Sequence, residues 1–134
     1  KEIEATLAGA RELYPDKEIT IVFQPHLFSR TKLLLNEFAQ SFSDADQVML
    51  LPIYYAREVD DGTISSETLA FEINKYTDNA EVFSGFRSLE DNLFVRLEKM
   101  NENKEKRFRH SFYNFFLNLN NTYYYNYYYH YSKV

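Results

Sequence analysis

The chain has 134 residues, a formal net charge of −5 and no Cys, which sets the scale at one domain with a modest core and excludes disulfides and thiolate metal sites. A net acidic chain is a poor match to nucleic acid or to an anionic membrane surface, so neither is expected as a partner. It shows no signal-peptide pattern and no apolar run near bilayer length, as expected of a cytoplasmic domain.

Lys1 stands where a start Met would be, so a preceding segment is expected. Ile3, Leu7, Ala10 and Tyr14 recur at helical spacing, and Pro15-Asp16 stops that helix. Glu18 to Phe23 (EITIVF) is β-branched and almost wholly apolar, the pattern of a strand buried on both faces. A second helix is predicted from Thr31 to Phe42, with Leu34, Phe38 and Phe42 on one stripe and Leu35 and Ala39 beside it. Asp46 to Leu51 (DQVMLL) is a second buried strand, closed by Pro52. The polar loop REVDDGT leads to a helix from Ser66 to Tyr76, and AEVFSG supplies a short third strand. Ser88, with Asp91 three residues on, is the expected cap of a last helix with Leu89, Leu93, Leu97 and Met100 on its inner stripe. Strands alternating with helices predict an α/β fold, a mainly parallel sheet flanked by helices. In such sheets ligands gather beyond the carboxyl ends of the strands, where QPHLFSR and PIYYARE both fall.

Composition changes near Lys106. Up to that residue there are 20 acidic and 12 basic side chains, whereas residues 107–134 hold three basic and no acidic ones, with eight of the 12 Tyr and four of the 12 Phe. The chain therefore divides into a domain at 1–106 and an unusual tail at 107–134.

At the expected ligand edge, Gln24, His26 and Arg30 crowd a strand-to-helix turn. A guanidinium can grip a carboxylate through two parallel hydrogen bonds, and a helix start favours an anion. Arg30 reads equally as a surface partner of Glu37. His26 reads either as a ligand-facing group or as a loop His satisfied by a backbone carbonyl. Gln24 reads as a strand-end residue, and Arg57 with Glu58 as a solvated ion pair. Ser29 beside His26 lacks the glycines of a nucleophile elbow. The three Gly and three His are scattered, giving neither a phosphate-binding loop nor metal-ligand spacing.

The run from Phe23 to Thr31 (FQPHLFSRT) resembles the F-Q-P-H-x-[YF]-[ST]-R-T signature in the C-terminal domain of the Mur ligases that join L-alanine to UDP-N-acetylmuramate. The likeness extends from about Glu2 to Met100, through EIEATLAGARELYPDKEITIVFQPH, NEFAQSFSDADQVMLLPIYYARE and ISSETLAFEI. It implies a Rossmann-like C-terminal domain that presents the amino acid during an ATP-dependent amide synthesis of peptidoglycan assembly. The resemblance gives Arg30 the alanine carboxylate and His26 the incoming amine. Gln24, Pro25, Ser29 and Thr31 support the motif, with Pro25 shaping the turn and Thr31 capping the helix, and Arg57 and Glu58 are weaker candidates. ATP and Mg²⁺ fall mainly to a central domain, and the N-terminal and central domains are the implied partners in the same chain; alone, this segment is expected to be inactive. Many members carry a second Arg where Leu27 stands.

Beyond Met100 the likeness fails. The family's further strand, Gly-Ala-Gly-Asp turn and final helix are replaced by KRFRHSFYNFFLNLNNTYYYNYYYHYSKV, leaving the domain truncated. Tyr, Asn, Phe, Leu and Lys have AT-rich codons, so a frameshift between Lys104 and His110 is the expected origin. A divergent last strand at FYNFFL and a genuine Tyr-rich adhesive tail are the alternatives; such a run is aggregation-prone. Two other functions compete: a ligase that recycles a preformed murein tripeptide, and a non-catalytic α/β binding module.

Overall fold

The computed structural model of the chain describes residues 1–102, 113–117 and 126–127, with backbone alone at 97, 100–102 and in the two C-terminal segments. Helix α1 (Glu2–Leu13) is followed by β1 (Ile19–Phe23), the short helices α2 (Phe28–Leu33) and α3 (Leu35–Gln40), and β2 (Gln47–Leu50). Then come α4 (Ser66–Asn74), β3 (Ala80–Val82), α5 (Phe86–Glu102), β4 (Tyr113–Leu117) and β5 (Asn126–Tyr127). β1, β2 and β3 form the parallel body of the sheet, with Ile21 opposite Val48 and Leu50 opposite Val82. The full order is β3-β2-β1-β4-β5, with β4 parallel to β1 and β5 antiparallel to β4. The predicted α/β class is the observed one. Tyr113–Leu117, within the FYNFFL run named as the alternative of a divergent last strand, forms β4.

Every residue of β1 is buried, as its uninterrupted apolar run requires of a central parallel strand. Alternation along the strand sends side chains to opposite faces. Ile19, Ile21 and Phe23 join Ile3, Leu7 and Ala10 of α1, Phe38 and Ala39 of α3, and Leu69 and Ile73 of α4 in one cluster. Val22, Met49, Leu51 and Phe83 meet Leu89 of α5 in the other, with Leu93 packed against it. Phe23 packs between Phe38 and Phe42 at ring-centroid distances of 5.5 and 5.4 Å. Leu97 and Met100, the other expected members of the α5 stripe, lie outside the described side chains.

Polar contacts fix the joints. Asp46 accepts from the Ile19 N–H at 2.7 Å and from Arg11 at 2.6 Å, tying α1 and the entry to β2 onto the start of β1. Ser65 caps α4 by accepting from the Thr68 N–H, and the buried Ser66 hydroxyl donates to the Leu51 carbonyl at 2.7 Å. Ser88 is not the cap that the sequence suggested. α5 begins two residues earlier, and the Ser88 hydroxyl reaches back to accept from the Gly85 N–H. The predicted Thr31–Phe42 helix likewise starts earlier, at Phe28, and breaks at Leu34, whose φ of −105° and ψ of 20° separate α2 from α3.

Candidate functional site

Beyond β1 and β2 the two segments that follow them stay zipped together. The Leu51 N–H donates to the Phe23 carbonyl at 3.0 Å, the Tyr54 N–H to Pro25 at 2.8 Å and the Leu27 N–H to Tyr54 at 2.8 Å. Gln24 adds its side-chain amide to the Pro52 carbonyl at 3.2 Å, so its reading as a strand-end residue acquires a definite partner. Pro25 is buried and gives up nothing, since the pairing at that position uses its carbonyl. Both loops therefore open on one edge of the sheet, as their positions after consecutive strands imply.

His26 is half-buried, with its ring 5.3 Å from that of Tyr54. Its Nδ1 is buried and has no hydrogen-bond partner among the described residues, so the reading as a loop His satisfied by a carbonyl does not hold at this nitrogen. Burial first, and then the Arg30 guanidinium, push the imidazole below its ordinary value of 6.5, with Glu58 opposing them. A neutral ring with a free buried nitrogen results, suited to accepting or sharing a proton.

Arg30 is partly buried and forms no ion pair among the described residues; the pairing with Glu37 is not formed. Glu58 does not pair with Arg57 either. It accepts from the Ser29 N–H at 3.0 Å and, in a short contact, from the Ser29 hydroxyl. These two bonds, aided by the Phe28 N–H, hold its carboxyl below the usual range. The start of α2, expected to stand open to an anion, is thus taken by a carboxylate of the chain itself. Arg57 is exposed. Thr31 is fully buried within the first turn and its hydroxyl donates to the Leu27 carbonyl at 2.8 Å. It therefore does not cap the helix as expected.

Leu27 adopts φ 67° and ψ 132°, and Ala56 in the facing loop adopts φ 52°. Left-handed backbone at a non-glycine residue costs on the order of 1–3 kcal/mol and persists where surrounding contacts over-determine it, often at functional sites. Next to this turn lies an open cleft of about 600 Å³ bordered by Phe28, Ser29, Lys32, Glu58, Asp61 and Thr63. Neither His26 nor Arg30 lines it. Lys32 donates to the Thr63 hydroxyl at 3.0 Å, which in turn donates to Asp61 at 2.6 Å. These residues and Tyr54 escaped the sequence reading, because contacts such as Lys32–Thr63 span 31 positions and leave no local pattern. Among the described residues no group of three or more His, Asp or Glu side chains is placed to hold a metal ion, and no helix is long and apolar enough to cross a membrane.

Fold and geometry define an α/β unit whose two loops after β1 and β2 carry His26 and an Arg30 that forms no ion pair among the described residues. Over 78 residues the chain is 55% identical to the UDP-N-acetylmuramate–L-alanine ligase of Streptococcus agalactiae, a match covering 58% of this chain and 18% of that protein. Proteins of the same name from Streptococcus mutans and Streptococcus thermophilus are 56% and 55% identical over 75 residues, 55% of this chain and 17% of theirs. The chain thus spans under a fifth of the length of the curated relatives it matches. No protein-family model matches it. The likeness expected from the Phe23–Thr31 motif is borne out by these relatives.

Proposed function

We propose that this chain is the amino-acid-presenting part of a cytoplasmic, ATP-dependent ligase that joins L-alanine to UDP-N-acetylmuramate for peptidoglycan synthesis. The identity of 55% over 78 residues to ligases of that name carries the reading. The geometry supports it: Arg30 is free to take the amino acid's carboxylate, and the neutral His26 stands close enough for the two to sense each other's charge. Holding the carboxylate at a fixed point aims the amine, and orientation of this kind is a large part of the catalysis of bond formation between two substrates. A neutral imidazole keeps the amine from being repelled and offers a lone pair to its proton.

ATP would activate the muramoyl carboxylate, with Mg²⁺ on its phosphates. Among the described residues no three His, Asp or Glu side chains cluster to hold a metal ion, and the sequence has no phosphate-cradling glycine loop. Both are assigned to other segments of the ligase, and these residues alone are proposed to be inactive. The test is phosphate release by the whole ligase containing these residues. Turnover with free L-alanine supports the proposal; turnover with a murein tripeptide and none with L-alanine refutes it in favour of a recycling ligase.

A further inference from the structure

We infer that Glu58 is a positioning residue that latches the His26–Arg30 turn from the neighbouring loop. The inference rests on the reading of His26 and Arg30 as the amino-acid-facing pair. The residue preceding α2 is Leu27, which has no side-chain acceptor, so the helix cannot cap itself. The acceptor arrives from 29 positions away, when the Glu58 carboxylate takes both the N–H and the hydroxyl of Ser29. The turn carrying that carboxylate is closed by the Glu58 N–H donating to the Tyr55 carbonyl at 2.8 Å, around Ala56 at φ 52°. Left-handed residues therefore stand on both sides of the contact, Leu27 on one loop and Ala56 on the other. Backbone in that region needs an external restraint, and Glu58 is the charged one among the bonds joining residues 24–29 to 52–58. Spent on Ser29, its carboxylate also forms no pair with Arg30, which stays available to a ligand.

The test uses the 134-residue chain, labelled for NMR, with Glu58→Ala and Glu58→Gln compared to the parent sequence. Loss of the latch is expected to speed amide exchange at Phe28 and Ser29 about fivefold or more, as local opening of an uncapped helix start would. Exchange at Ile21 and Val48, in the paired strands, is expected to stay unchanged. The NOE between the His26 and Tyr54 rings is expected to weaken, and the His26 titration midpoint to fall, because the anion favouring imidazolium is gone. Glu58→Gln keeps the side-chain size and one acceptor. It should lower the midpoint as Ala does while restoring part of the exchange protection, and it carries the test if the Ala variant does not fold. Unchanged exchange at Phe28 and Ser29, equal acceleration throughout the strands, or an unaltered His26 ring would each overturn the inference. None of these readouts involves an amino acid. A parallel titration of the parent chain with L-alanine therefore reports separately on the reading of His26 and Arg30.

Discussion

Replacing Arg30 by Ala is the sharpest test of the proposed carboxylate contact. Its guanidinium has no competing ion pair among the described residues, so nothing is broken when a carboxylate binds. Hydrogen bonds to a charged group contribute about 1.5–3 kcal/mol each. Two of them at a partly solvated site, discounted for screening, leave roughly 3 kcal/mol, or about a 150-fold weaker grip on L-alanine. In the whole ligase the loss should appear as a raised KM for L-alanine, with the KM for ATP unchanged. Arg30→Lys keeps the charge but not the two-pronged geometry and should recover only part of the affinity. Because Arg30 makes no fold-holding contact among the described residues, the chain's urea-unfolding stability should move by no more than about 0.5 kcal/mol. An unchanged KM for L-alanine, or a variant unfolded by the substitution, would refute the reasoning.

The His26 ring should titrate below 6.5 by NMR, since burial and Arg30 both disfavour its charged form. Its folded-state value lies under its unfolded one, so the unfolded chain binds more protons between the two. Stability should accordingly fall as pH drops below about 6.5 and level off beneath the folded midpoint; a midpoint at or above 6.5 contradicts this. Phe42→Ala removes a fully buried ring packed 5.4 Å from Phe23 and should cost about 3–5 kcal/mol in urea unfolding; a loss under 1 kcal/mol would mean that this face is not the core. Sequencing the encoding DNA in all three frames is expected to show Gly-Ala-Gly-Asp in another frame after about codon 106. An uninterrupted frame without it rejects the frameshift.

Much of the fold was legible because it rests on local periodicity. The runs at Glu18–Phe23 and Asp46–Leu51 are too apolar to stand anywhere but inside a sheet, and the structure buries all of β1 and most of β2. Helices α1 and α4 announced themselves through Leu7, Leu69 and Ile73, all fully buried. Helix boundaries were less legible. Ser88 and Thr31 look like caps by residue type, yet caps depend on where the backbone leaves the helix, and here it leaves at Gly85 and Leu27. The site divides in the same way. Clustering at the carboxyl edge of two consecutive parallel strands follows from chain order alone, so Gln24, His26 and Arg30 could be singled out from sequence. Their electrostatic states could not. Only the folded arrangement decides that Glu58 turns to Ser29 instead of Arg57, and that among the described residues Arg30 forms no ion pair and the buried His26 Nδ1 finds no hydrogen-bond partner. The sequence by itself determined which residues reach the carboxyl edge of the sheet, because side-chain periodicity and strand order are properties of neighbours along the chain. Tertiary structure decided which of them are engaged by a neighbouring loop, because hydrogen bonds across 29 positions depend on how two loops meet in space.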